Sequence, residues 1–274
     1  MKQELEEAER ILHQAIQLSH QSDNKKAIIY TYDLVILPRK LWERQGSSQL
    51  PWDAEKLFKE AMRFMLAGDM KQDDNAIIEI SLKLASIYAA QNQHKLALAG
   101  YEFCILTLDE KIAKYRDLPE DVLLAEERAN THLLLGLCLD SYGRYLLANK
   151  QLPGAQRMYE RALQISKEVQ GETHPQTVVL MNDLATVLDA QGLYDEAYTH
   201  VKRASELAKQ TEHPEEHMVL NNLAGILMHR EDFLQAKEVY RKALKQAELK
   251  GDTASMKHIQ EELAELAERR KQSN

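Results

Sequence analysis

At 274 residues the chain has room for one large domain or two ordinary ones, and its 10 glycines and 6 prolines are few for that length. So little turn chemistry excludes a sandwich or barrel of many short strands, while the wealth of alanine and other helix formers points to an all-α fold. A formal net charge of −8 argues against nucleic acid as a partner, and 2 cysteines are too few for a disulfide framework and suit a reducing compartment.

The longest unbroken apolar stretch, around Leu133 to Leu139, is far short of a membrane span. The opening MKQELEEAER is acidic, unlike a transit peptide, and lacks the apolar stretch of a signal peptide.

One pattern recurs along the chain: Ala, three residues, a large apolar residue, two residues, a small residue. It first occurs at Ala8-Leu12-Ala15, read as the second helix of a repeat whose first helix is absent, as if the chain started late or had been trimmed. A helix is then expected over 22–37, ending at or before Pro38, whose ring clashes with the preceding turn. Residues 35–52 hold both tryptophans, Trp42 and Trp52. They read either as a recognition loop with aromatic anchors or as an alternative exon that replaced an ordinary hairpin. The loop should run to Asp53, whose carboxylate would cap the helix carrying Ala54-Phe58-Ala61.

The pattern continues at Ala97-Tyr101-Cys104, Ala155-Tyr159-Ala162, Ala197-Val201-Ala204 and Ala236-Tyr240-Ala243. Spacings of four and three put the three residues on one helical stripe, where small side chains let a second helix approach closely. That partner helix is marked by Leu84-Ala85, Leu184-Ala185 and Leu223-Ala224, each small residue lying 12 before the next stripe's alanine. Polar turns fall between at Gln91-Asn92-Gln93, Gln191-Gly192 and Arg230-Glu231-Asp232. Pro175 and Pro214, each after a histidine, are expected at first helical positions. The fourth repeat reads as stretched: Gly136 lies 19 before Ala155 instead of 12, and Asp109 to Arg128 reads as a solvated extension with a connection near Leu118-Pro119. Met256, Ile259, Leu263 and Leu266 form one stripe of a helix that should cap the array, over 253–274.

Helical hairpins with these residues at these offsets resemble the tetratricopeptide repeat. This implies a right-handed superhelix of antiparallel helix pairs over 1–252, with a truncated first repeat, the atypical insert at 35–52, and the C-terminal capping helix and tail. The stripe alanines lie further apart than the usual ~34 residues. That length, with His-Pro at helix starts, is similar to the kinesin-light-chain type and implies a peptide- or cargo-binding adaptor. Longer strings resemble a mitochondrial branch of the family: KQDDNAIIEISLKLASIYAAQNQ (71–93), HPQTVVLMNDLATVLDAQG (174–192) and HPEEHMVLNNLAGILMHRE (213–231). This second resemblance covers nearly all the chain except residues 35–52. It implies a factor of the mitochondrial inner membrane for assembly and maintenance of respiratory complex III (cytochrome bc1), aiding clearance of Rieske iron–sulfur subunit fragments. The resemblance also implies a targeting region and a membrane anchor in full-length members, and neither is expected within this sequence.

His213-Pro-Glu-Glu216-His217 matches the H-x-x-E-H string of zinc proteases, but Pro214 places His213 outside the helix and no third ligand is indicated, so a helix start is the better reading. The remaining histidines are scattered, and Cys104 and Cys138 fall on packing positions. No catalytic set, cofactor or metal is implied. What remains is a partner-binding surface. In the resembled superhelix the first helix of each pair lines the groove, which singles out Asn182, Thr186, Asp189, Asn221, Met228 and His229, with Glu79 and Ser86 in comparable places. Asn amides there could hydrogen-bond an extended peptide; the alternative is that these are simply solvated polar residues.

Overall fold

The computed structural model describes residues 50–68, 70–116 and 125–272, and among them every regular element is an α-helix. They form two compact units, one ending at Cys138 and one beginning at Leu139. The expectations for residues 1–49, and for the connection near Leu118-Pro119, lie outside the described residues.

The first unit contains α1 (Leu50–Ala67), α2 (Asn75–Ala90), α3 (His94–Arg116) and the start of α4 (Ala125–Ala148). Asp53 lies inside α1, so it does not end a loop or cap the helix as expected. The chain is already helical at Leu50, and Pro51 falls among the first helical residues, whose N–H groups have no intrahelical acceptor. Asp74 caps α2 by accepting the Ala76 N–H at 3.0 Å. Phe58 and Ala61 of α1 are buried against Ile77, Ile80 and Leu84 of α2. Ala97, Tyr101 and Cys104 of α3 are buried as the stripe predicts. A Cβ on Gly100 would meet the Ala85 Cβ at 2.7 Å, so α2 and α3 meet where neither tolerates a larger residue.

The second unit continues α4 and adds α5 (Leu152–Val169), α6 (Pro175–Ala190), α7 (Tyr194–Gln210), α8 (Glu216–His229), α9 (Phe233–Lys250) and α10 (Thr253–Gln272). Its three stripes, on α5, α7 and α9, are all buried. Consecutive helices pack as hairpins, α6 on α7 and α8 on α9, and α8 also packs on α7. Helix α10 buries Ile259 and Leu266, and its Glu262 accepts a hydrogen bond from the Tyr240 hydroxyl at 3.0 Å.

The fourth repeat is not stretched where the sequence suggested. Gly143, not Gly136, is the small residue 12 before Ala155, and a Cβ on it would touch the Tyr159 ring at 3.2 Å. Helix α4 ends at Ala148, five residues past Gly143, as α2, α6 and α8 end five past Ala85, Ala185 and Ala224. The surplus lies at the other end: α4 begins at Ala125, 18 residues before Gly143, against 10 for α2 and α6. Helix α3 is lengthened to match, at 23 residues against 18, 17 and 18 in α5, α7 and α9. The extensions are tied together. The Tyr115 and Thr131 hydroxyls lie 3.3 Å apart, and Thr131 accepts from Asn75 Nδ2 at 3.0 Å.

The turns share one construction. After the first helix of each pair a residue takes a left-handed conformation: Asn92 (φ 59°), Lys150 (58°), Gly192 (79°) and Glu231 (63°). The next N–H then bonds a carbonyl five residues back, as Gln93 does to Tyr88 at 2.8 Å and Leu193 to Leu188 at 2.9 Å. Pro175 is the first residue of α6, as expected, with the His174 ring nitrogen accepting the Gln176 N–H at 3.2 Å. Pro214 is not a first helical residue. A turn closed by the Glu216 N–H on the His213 carbonyl delays α8 to Glu216, and His213 Nδ1 accepts from the Glu215 N–H.

Candidate functional site

In the second unit the first helices α6 and α8 lie one repeat apart and are joined by polar side chains. Asn222 of α8 reaches back to α6, where its Nδ2 donates toward Asn182 Oδ1 at 2.9 Å, Thr186 Oγ1 at 3.0 Å and the Asn182 carbonyl at 3.2 Å. At the C-terminal ends of the two helices, His229 Nδ1 donates to Asp189 Oδ1 at 2.8 Å, and the Tyr194 ring tilts against the imidazole at 5.4 Å. Arg230, the residue after α8, lies over the Tyr198 ring at 4.2 Å and bonds Asp195 through Nε at 3.0 Å.

The same geometry recurs one repeat earlier with charged residues. Asp183 occupies in α6 the place of Asn222 in α8, and it faces Asp140 and Arg144 of α4. Asp140 is buried and paired with Arg144, whose Nε donates to Oδ1 at 3.1 Å. Gln176 Nε2 approaches Asp140 at 3.5 Å. Burial pushes the Asp183 carboxyl up to about 6, because Arg144 is already engaged with Asp140 and only partly offsets the desolvation. Burial also raises the Tyr159 phenol, reinforced by Asp183 and Asp140.

A second contact joins successive repeats in each unit. The glutamine that ends a first helix bonds the residue after the preceding stripe alanine: Gln191 Nε2 to Gln156 Oε1 at 2.9 Å, and in the first unit Gln91 Nε2 to Glu55 Oε2 at 3.1 Å. Arg230 over Tyr198 is the cationic version of this pair.

Of the residues singled out in the sequence, Asn182, Thr186, Asp189 and His229 come together in these cross-repeat bonds. Asn221 is partly buried, and its Oδ1 has no hydrogen-bond partner. Met228 is 4% exposed and belongs to the core, so it does not offer the partner-facing side chain expected of it. Glu79 is 8% exposed with its carboxyl pushed up by burial, and Ser86 spends its hydroxyl on the Leu82 carbonyl at 3.0 Å. Asn222 was missed by sequence reasoning. The Asn221-Asn222 doublet hinted at it, but only the placement of α8 on α6 says which amide reaches back.

The histidines of the H-x-x-E-H string serve helix ends. His213 closes the turn that precedes α8, as described, and His217 Nε2 donates to Asp252 Oδ2 at 3.1 Å, at the cap of α10. The Ser255 hydroxyl and N–H, with His217, hold the Asp252 carboxyl down at about 2. Among the described residues no three His, Cys, Asp or Glu side chains are grouped to hold a metal ion, and no helix is long and apolar enough to cross a membrane. Cys104 and Cys138 are buried free thiols, and Cys104, together with burial, raises the Cys138 pKa.

Buried stripes, left-handed turns and back-reaching first helices together define a tetratricopeptide-repeat protein, and the tetratricopeptide-repeat family model matches residues 137–210. Two solved structures agree in fold. Against BtubC (BKLC) from P. vanneervenii the TM-score is 0.70 at 16% identity, covering 92% of each chain. Against a Podosopora anserina putative kinesin light chain it is 0.56 at 18% identity, covering 77% of this chain and 94% of that one. More particularly, the chain belongs to the family of tetratricopeptide repeat protein 19, mitochondrial. It is 63% identical to the Homo sapiens protein of that name, over 98% of this chain and 69% of that protein. The Drosophila melanogaster homolog is 23% identical over 89% of this chain and 62% of its own length.

Proposed function

We propose that the chain is a non-catalytic scaffold of the mitochondrial inner membrane that binds respiratory complex III and aids clearance of Rieske subunit fragments, with α10 closing the repeat array. Kinship with a mitochondrial protein along almost the whole chain supports the compartment. The complex III role is supported by the longer strings, whose resemblance extends beyond the repeat signature. The partner would seat on the α6–α8 face, among Asn182, Thr186, Asp189, Asn221 and His229, with the exposed Tyr194 as an aromatic anchor at its edge. One observation carries this choice of face. The polar side chains there bond across repeats, which fixes their positions before a partner arrives and lowers the ordering cost of binding.

The test is co-purification of complex III from mitochondria expressing the full-length protein with Asn221→Ala, His229→Ala and Tyr194→Ala together. A loss of at least about tenfold is expected, with the protein still folded and its melting midpoint lowered by only the few degrees that losing the His229–Asp189 bond costs. Undiminished recovery of complex III refutes the placement.

A further inference from the structure

The outward faces of the second helices can be compared at one register: the residue before the stripe alanine, then two, six and nine after it. In α5 these are Gly154, Arg157, Arg161 and Gln164; in α7, Glu196, Thr199, Arg203 and Glu206; in α9, Gln235, Glu238, Lys242 and Lys245. All but Gly154 are exposed, as expected of a solvated face. In α3 the same positions hold Leu96, Ala99, Phe103 and Leu106, with Leu96 49%, Phe103 38% and Leu106 62% exposed. The buried stripe of α3 lies on the opposite side, so this helix is apolar on two faces. The outer row spans about 15 Å, or nearly three turns.

Scattered exposed leucines need no explanation, but four consecutive outward positions that are apolar here and, Gly154 of α5 apart, polar in three sibling helices do. Acidic residues border the row: Glu102 and Asp109 along one edge and the exposed Glu110 at its C-terminal end, with Lys95 and Lys114 at the two extremities. We propose that the outer face of α3 docks an amphipathic helix of a protein partner, with an apolar stripe spaced i, i+3/i+4, i+7 and lysine or arginine on its flanks. A row of three apolar ridges along one helix receives a second helix laid beside it. The acidic border selects a basic flank, and it opposes an anionic lipid surface, as does the chain's net charge of −8. This surface is separate from the α6–α8 face, and its test reads nothing from complex III.

The probe is a fluorescein-labelled synthetic helix of about 18 residues, with leucines at the matching spacing and lysine flanks, compared with a twin carrying glutamate flanks. Anisotropy is measured on the intact chain and on Leu96→Glu/Phe103→Arg/Leu106→Gln, which installs residues already present at this register in α7 and α5 and leaves the net charge unchanged. Phe103→Arg alone is the second variant should the triple lower helicity. The lysine-flanked helix should bind at least about tenfold more tightly than its twin, lose at least about tenfold on either variant, and weaken with salt. Equal binding of the two peptides, or undiminished binding to the variants, overturns the proposal. So does a dimer of the intact chain, seen by sedimentation, that the triple variant abolishes, since a second copy would then be the occupant. Flotation with phosphatidylglycerol vesicles that the triple variant abolishes would overturn it in favour of lipid.

Discussion

Four turns that follow the first helices occupy one register and take one left-handed conformation, yet only Gly192 is glycine there; Asn92, Lys150 and Glu231 are not. A residue with a Cβ in that region costs about 1–2 kcal/mol, and glycine returns roughly 0.5–1 kcal/mol of this to the entropy of the unfolded chain. Glu231→Gly should therefore stabilise the second unit by about 0.5–1 kcal/mol, and Lys150→Gly by a similar amount. Gly192→Ala, the reverse change at the sibling turn, should cost about 1 kcal/mol. No new contact forms at Gly192, because a Cβ there would meet nothing within 4 Å, so the conformational cost is isolated. In a unit of this size the expected change is about 2–6 °C in melting midpoint, upward for the first two variants and downward for the third. Urea unfolding should show the same shift in midpoint with an unchanged m-value, a change in stability without a change in the surface exposed on unfolding. If Glu231→Gly destabilises and Gly192→Ala is neutral, the turns do not have this backbone and the shared register fails.

Asn222→Ala should remove the donor shared by Asn182 and Thr186 and cost about 1 kcal/mol, with faster hydrogen exchange in α6 and α8 and none in α3. Met228→Ala should cost about 2–5 kcal/mol by chemical denaturation, as a core residue does; a cost near zero would return it to the surface. The folded pKa of Asp183 is raised, so its protonated form is favoured, and its contribution is intact below the unfolded value and lost as pH rises toward about 6. Asp183→Asn should thus stabilise the protein at pH 7.5, by roughly 1–3 kcal/mol, and have little effect near pH 4. Asp252 is the opposite case. Its lowered pKa gives stability that is present above the ordinary aspartate value and lost as pH falls toward about 2, and Asp252→Asn should flatten that acid limb in a pH series of melts.

The helical stripes were legible because burial enforces them. Ala97-Tyr101-Cys104 and its successors must be small, large and small wherever one helix lies in the groove of another, so fold class and pairing followed from spacing alone. The fourth repeat misled because Leu135-Gly136 imitates the Leu-Ala pair, whereas the true contact is Gly143 on Tyr159, a match of a missing side chain to a ring that no fixed motif contains. Pro214 misled because proline is tolerated both inside a first turn and just ahead of it, and a hydrogen-bonded turn decided the matter. At the α6–α8 face the residue types were visible but not their partners. Asn182 and Asn222 are 40 residues apart, and their bond exists only once two hairpins have stacked. Met228 and His229 are neighbours on one turn, and which points inward depends on how α8 rolls on its neighbours.

The most direct test of the proposed role is site-specific photo-crosslinking inside mitochondria. p-Benzoylphenylalanine in place of Tyr194, an exposed aromatic beside His229, preserves the ring and samples the α6–α8 face; the same group in place of Glu238, on the outward face of α9, is the control. After irradiation, adducts at 194 should contain a subunit of complex III and those at 238 should not. Adducts at 194 that contain no complex III subunit, or equal labelling from both positions, would contradict the account.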